Sequence, residues 1–447
     1  MLGTKKAKEE FNIEAIGSEQ MQAWITECVN IYQGNPCWLD EEDHIDTVNF
    51  AKSVCSETAR LAMMGVSIRM DGSARAEWLQ KQIDHIYSQL RKWVEYGCAY
   101  GTVILKPNGD TVDLYTPNMF EIVHASNGVI DGVVFHNWEK AGEKWYTRLE
   151  YHRFEGDIYR ISNKCYLGNR PDDTKDLVDI GTTPWSHLAE ESAVANMEHP
   201  LFGVLRTPHA NNIDMDSPFG LPIFSEAIQE LRDLDIAYSR NAKEILDSKR
   251  TVLLDADRLL PGGGIGNLTR TTMPDYIRLV DGDTTVESNI YHEINPSLNT
   301  EDRMTGINAL LSQIGYKVGF ANGYFVFNES TGIQTATQVE ADQQRTIQFI
   351  KDVRDQLESC LDGLIYALDV FASLYSLAPM GAYEVAYDFG DITYNREEDR
   401  ARWWGYVQAG KVPAWRFFVK FEGMTEEDAK AMTAEAQPAP YTLFGGE

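Results

Sequence analysis

Three pairs of aspartates, Asp214/Asp216, Asp255/Asp257 and Asp281/Asp283, have the spacing in this sequence that comes nearest to chemistry. Such a pair could share a divalent ion and serve a nucleic-acid-processing enzyme. Each pair lies among turn residues, however, where aspartate bonds its own backbone, and two carboxylates without further ligands do not complete a metal site. The glycines of "PGGGIGN" (Pro261 to Asn267) invite comparison with a phosphate cradle. No Lys-Ser or Lys-Thr follows them and the third glycine of the dinucleotide pattern is missing, so they read as a loop tip. The histidines form no H-E-x-x-H or H-x-E pattern with cysteine partners, and His152 within "LEYHRF" reads as a sheet-face residue. No G-x-S-x-G elbow or catalytic cysteine signature occurs. Catalysis has no anchor here; no enzyme activity, metal or cofactor is expected.

The formal net charge is −28, from 68 acidic against 40 basic residues. That balance argues against a protein that grips nucleic acid over a broad basic face. A pore along which a duplex slides has the opposite need, because an acidic lining can keep DNA inside without holding it. A merely soluble acidic surface accounts for the same charge. The length suggests roughly two to four domains. No run of about 18 apolar residues occurs, and "MLGTKKAKEEFN" lacks the apolar block of a signal peptide, so neither export nor a membrane span is expected. Cys28, Cys37, Cys55, Cys98, Cys165 and Cys360 are scattered without a C-x-x-C pair. Reduced, buried thiols in a cytoplasmic setting are expected of them.

The apolar residues define the elements. From Ile13 to about Trp93 they recur at helical spacing, as in Phe50, Val54, Thr58 and Leu61, then Ile83, Ile86, Leu90 and Val94. From Tyr96 to about Leu167 the period changes to alternation, broken at "PNGD", "SNG" and "FEGD", which predicts a β-meander. Residues from Arg170 to Pro208 read as irregular. After Pro218, Gly220 and Pro222, the stripe Phe224, Ala227, Ile228, Leu231, Leu234, Tyr238, Ala242 and Ile245 predicts a helix of about 27 residues. Strand-like "TVLLD", "YIRLV" and "TVESNIYHEI" follow, and Asn299 or Thr300 can cap a second helix running to about Gly315. "NESTGIQTATQVEADQQRTIQF" then passes from a loop into a long helix. Thr337 with Glu340 can form its capping box, with Thr335 and Gln338 offering the same device just before. The stripe from Ile347 to Tyr375 predicts about 40 helical residues, with a kink at Gly363. A strand, "YEVAYDFGD", two or three short helices and the tail "QPAPYTLFGGE" complete the chain.

This order resembles the portal proteins of tailed bacteriophages, in the siphophage branch. The resemblance is carried by "NNIDMDSPFGLPIFSEAIQELRDLDIAYSRNAKEI", by "TGIQTATQVEADQQRTIQFIKDVRDQLESCLDGLI" and by "REEDRARWWGYVQAGKVPAW…MTEEDAKAM", and it spans about Asn12 to Ala436. It implies an α+β fold, mainly helical, with a β-meander wing, a small α/β clip insert and assembly into a ring. The implied divisions are a wing over 1–210, stem helix 1 over 211–250, the clip over 251–298 and stem helix 2 over 299–316. A tunnel loop over 317–336, a long wing helix and return strand over 337–391, a crown over 392–436 and a disordered tail over 437–447 follow.

The same resemblance implies a non-enzymatic ring, usually dodecameric, at one vertex of the virion capsid, assembled in the bacterial cytoplasm. Double-stranded DNA would pass through it without sequence reading. The terminase large subunit, a head-completion connector, and the major capsid and scaffolding proteins would be its partners, and no membrane would be. DNA-facing residues of the tunnel loop would be Lys317, Phe320, Asn322, Tyr324, Phe325 and Asn328, with Thr337 and Glu340 capping the helix behind them. Arg258, Gly262, Gly263, Gly264 and Arg270 would serve clip docking. Arg232, Asp235, Arg240, Lys243 and Asp247 would pair between stems, although solvated surface charge fits any one of them equally. Another head structural protein, or a metal-dependent nucleic-acid-processing enzyme, are the alternatives. The brief crown is a departure from the family's larger members and counts against a long internal barrel of the kind they carry.

Overall fold

The computed structural model describes the chain apart from residues 1–5, 41, 43, 110, 249–250, 256–276, 281–290, 295–298, 328–335, 391–395, 410, 423 and 436–447. The clip residues Arg258, Gly262, Gly263, Gly264 and Arg270 and the loop residue Asn328 therefore lie outside the described residues. Two compact units are present, Met1–Tyr387 and Asp388–Glu447.

The first unit opens with α1 (Lys6–Phe11), α2 (Glu19–Tyr32), α3 (Phe50–Ala62), β1 (Ser67–Gly72) and α4 (Ala74–Tyr100). Leu79, Ile83, Ile86, Leu90 and Val94 give α4 its buried stripe, and the Ser73 hydroxyl accepts from the Arg75 N–H at its start. The helix stops at Gly101, which has φ +79° and lies so close to the Gly220 carbonyl that no Cβ fits. A short strand, β1, interrupts the helical N-terminal region; it pairs with a strand more than 300 residues away, so nothing in its local sequence signals it.

Next come β2 (Thr102–Asn108), β3 (Thr111–Tyr115), β4 (Phe120–Ser126), β5 (Val129–Ala141), β6 (Lys144–Glu155) and β7 (Ile158–Gly168). Then follow three short strands, β8 (Asp176–Val178), β9 (Glu191–Ala195) and β10 (Gly203–Arg206). The alternating region forms two sheets: β10-β2-β3, and β4-β5-β6-β7-β8 with β9 also on β7. Asn127 and Gly128 both have positive φ at the β4–β5 turn, as a two-residue hairpin with right-handed twist demands. The stretch 170–208, irregular by its sequence, contributes these short strands because longer neighbours supply their pairing.

The remaining elements of this unit are α5 (Ile228–Asp247), β11 (Thr251–Asp255), β12 (Ile277–Val280), β13 (Tyr291–Ile294), α6 (Thr300–Val318), α7 (Ala336–Leu374) and β14 (Tyr383–Asp388). β11 pairs parallel with β12 and antiparallel with β13, so the insert carries a small mixed sheet. β14 pairs with β1. The 39-residue α7 is helical straight through Gly363. In place of the expected kink, Gly363 allows close approach to the backbone of Gly203. Two buried arginines tie α7 down. Arg354 donates to the carbonyls of Leu61, Ala62 and Met64 at the end of α3, and Arg75 donates to those of Asp369, Ala378 and Pro379.

The second unit holds α8 (Arg396–Gln408), α9 (Ala414–Glu422) and α10 (Glu426–Glu435). Phe417, Phe421 and Ala429 are buried, and Trp403 and Trp404 pack on the two phenylalanines. No helix among the described residues is long and apolar enough to cross a membrane.

Candidate functional site: the α6 terminus and the α5 face

Gly319 takes φ +118° and closes α6: its N–H bonds the Tyr316 carbonyl and the Phe320 N–H bonds that of Gly315. The chain then folds back along the helix. Ala321 N–H donates to the Thr346 hydroxyl at 2.8 Å and Gly323 N–H to the Ser312 hydroxyl at 3.2 Å. Asn308 holds both main-chain groups of Phe327, donating to its carbonyl at 3.0 Å and accepting from its N–H at 3.1 Å. Phe320, Tyr324 and Phe325 form an aromatic cluster that reaches Phe50 and Phe349.

This arrangement corrects several expectations for the loop. Phe320 is fully buried, so it packs the base of the loop and presents no face to DNA. Lys317 is drawn to α5, with Nζ 2.6 Å from the Glu230 carboxylate and 3.0 Å from the Glu226 carbonyl. Phe325 is half-buried in the cluster. Asn322 is exposed and accepts from the Ser312 hydroxyl. Tyr324 is partly exposed and its hydroxyl donates to Glu57, which also pairs with Arg60. Phe327, which the sequence does not single out, is 57% exposed. Since α7 begins at Ala336, Thr337 lies in its first turn and not at its cap; Thr335 and the side chains of Thr337 and Glu340 lie outside the described residues.

α5 and α6 run antiparallel side by side, because Glu230 pairs with Lys317 at one end and Glu244 with Arg303 at the other. Phe224 and Ala227 of the preceding turn, with Leu231 and Leu234, are buried as the stripe predicts. Its continuation is not: Tyr238 and Ile245 are each 52% exposed, and Leu246 is 67% exposed. Arg232, Arg240 and Lys243 are exposed; the Asp247 side chain lies outside the described residues. Asp235 is a correction. It is buried and accepts from Trp38 Nε1 at 2.9 Å and the Val48 N–H at 2.8 Å, stapling the segment before α3 to α5. Burial raises its pKa despite those hydrogen bonds. Its position, four after Leu231 and one after Leu234, is the sequence signal that it faces inward.

A buried polar cluster lies on one face of the β4–β8 sheet. Glu150 accepts from Lys106 at 2.7 Å and from Arg148 at 3.0 Å, and its other oxygen is 2.9 Å from His152 Nε2. His152 Nδ1 is 2.8 Å from the Tyr159 hydroxyl, which accepts from the Leu201 N–H. His152 is thus on a sheet face, but a buried and paired one. Burial opposes the charge of Glu150, yet Arg148 and Lys106 hold it well below the usual carboxylate range. On the opposite face, His136 lies 2.9 Å from Glu121 and 3.3 Å from Asp172. These groups pair with one another in the folded sheet, a pairing visible only once the register is known.

Among the described residues, no group of three or more His, Cys, Asp or Glu side chains could hold a metal ion. Asp214 accepts from the Ser18 N–H at 3.0 Å, a structural use of that carboxylate. The cysteines are free and buried except Cys37, which is exposed, contrary to expectation. Compared with known proteins, the chain matches no family model and no curated protein.

Proposed function

We propose that this chain is the subunit of a portal ring of a tailed bacteriophage, forming the channel for DNA packaging and ejection and the platform for the packaging motor and connector. The observation that carries the reading is one succession: antiparallel α5 and α6 bracketing a small sheet insert, a glycine-closed reversal, and the 39-residue α7 behind it. An exposed apolar stripe on α5, flanked by Arg232, Arg240 and Lys243, supplies a face for a neighbouring copy in a head-to-tail ring. In this reading α5 and α6 are the stem, residues 251–298 the clip, residues 317–336 the tunnel segment and residues 392–436 the crown. The ring is dodecameric, holds double-stranded DNA without reading sequence, and sits in the virion beside capsid and scaffolding proteins. The acidity of the chain, −28 overall, suits a channel that lets a duplex pass.

Negative-stain imaging with native mass spectrometry of the purified chain tests this. Rings with a central hole and a single subunit number are expected. A chain that stays monomeric alone and with scaffolding protein, under conditions where capsid shells assemble, would sink the reading.

A further inference from the structure

One face of α5 runs the length of the helix but is covered over only half of it. Leu231, Leu234 and Asp235 are buried on that face, where Asp235 and Ser239 hold the main chain of Val48 and Asp46 and the Trp38 ring nitrogen. Tyr238, Ala242, Ile245 and Leu246 continue the same face at helical spacing and are exposed. Its centre, near Ala242, lies roughly 140° round the helix from the direction of Glu230 and Glu244, so the α6 that those two meet leaves it open. α6 has an outward face of its own. Asp302, Thr305, Ala309 and Gln313 recur on it at i, i+3, i+7 and i+11, all exposed, roughly a quarter-turn from Arg303 and Lys317. The two faces differ in kind. From Tyr238 to Leu246 the exposed residues of α5 are large and apolar, with Arg240 and Lys243 as their only charges. The exposed residues of α6 are small at Thr305, Gly306 and Ala309, with Glu301 and Asp302 as their only charges.

We infer that the open half of the α5 face is covered by the outward face of α6 from a second copy of this chain, with Tyr238 set over the partner's Ala309 and Lys243 paired with the partner's Asp302. The register rests on the ring reading. Copies related by rotation about an axis along these helices meet at equal heights. The pairs Glu230 with Lys317 and Glu244 with Arg303 put Tyr238 level with Ala309, Ala242 level with Thr305, and Lys243 within a turn of Asp302. At those heights large side chains meet small ones and bases meet acids. Because the two faces differ and point away from each other, each copy uses one for the neighbour on either side, which is what a head-to-tail ring requires. The α5 face laid on its own copy would instead bring Arg240 and Lys243 of both chains together, a like-charge contact.

The test is disulfide trapping in the full chain, with the exposed Cys37 replaced by serine. Ala242→Cys combined with Thr305→Cys, oxidised mildly after assembly, is expected to give a ladder of covalent multimers well beyond the dimer, while either cysteine alone gives monomers. Covalent dimers from Ala242→Cys alone show α5 on α5 and overturn the pairing. A charge exchange reads the register separately. Lys243→Glu lowers the association constant roughly threefold or more, the effect of an exposed pair made repulsive, and Lys243→Glu with Asp302→Lys restores it; a melting curve confirms that each variant is folded. A folded double variant that associates no better than Lys243→Glu overturns the register. Rings whose cysteines form no ladder remove the α5–α6 pairing and leave the portal reading standing. A wild-type chain that forms no rings, alone or with scaffolding protein, overturns both.

Discussion

Gly203 of β10 and Gly363 of α7 meet backbone to backbone: a Cβ on Gly363 would stand 3.1 Å from the Gly203 Cα, and one on Gly203 would overlap the Cys360 carbonyl. Strand and helix reach this distance only because neither carries a side chain. Gly203→Ala is expected to destabilise the chain by about 3 kcal/mol, at the upper end of overpacking costs, because the obstacle is backbone. Gly363→Ala should cost much less, since the gain in helix propensity of up to about 1 kcal/mol offsets tighter but adjustable contacts. Urea denaturation of both variants measures the order; equal losses would contradict it.

Arg354 bridges α7 to the last carbonyls of α3 from a buried position. Arg354→Met leaves those carbonyls without their donor and should cost about 3 kcal/mol. Arg354→Lys should recover little, because a compact ammonium lacks the planar fork that reaches several acceptors together. Thermal denaturation of the two variants distinguishes lost charge from lost geometry.

On α5, inward and outward residues should separate cleanly. Asp235→Ala removes the acceptor for Trp38 and Val48 and lowers stability by about 1 to 3 kcal/mol. Leu246→Lys, on the exposed stripe, should leave stability within about 0.5 kcal/mol and reduce ring assembly. Sedimentation velocity beside a melting curve checks both; a Leu246→Lys chain that assembles as well as wild type removes the stripe from the interface.

His136 gives a pH dependence with a definite sign. Burial alone lowers its pKa, but Asp172 and Glu121 outweigh this and raise it above 6.5. A folded-state value above the unfolded one contributes stability that is fully present below pH 6.5 and fades as pH rises through the folded value. The stability difference between wild type and His136→Gln should therefore be larger at pH 6 than at pH 9. Paired urea titrations at the two values decide it; a constant difference would show that the two carboxylates do not hold the proton.

The long periodic elements were legible in the sequence, because each carries its own signal: the stripe of α4, the alternation of β5 to β7, and the run from Ile347 to Tyr375. What escaped local reading depends on partners distant in the chain. β1 is a strand through β14, and Gly363 is a contact through Gly203. Around the candidate site, the resemblance implies one loop over 317–336, whereas Asn308, Ser312 and Thr346, residues of ordinary appearance on two helices, fasten Phe327, Gly323 and Ala321. Asp235 misled in the other direction, since a charge on a helix reads as surface until its place beside Leu231 and Leu234 is weighed.

The insert that follows α5 and precedes α6 leaves from one end of this helix pair, while the chain reversal at Gly319 lies at the other. A helix of 19 residues separates them by about 28 Å. α6 is helical throughout and carries Asn308 and Ser312 on its flank. The chain returning from Gly319 lies along its C-terminal half as far as Asn308, so helix and returning segment splint each other, and bending this half of α6 means breaking the bonds from Ser312 and Asn308.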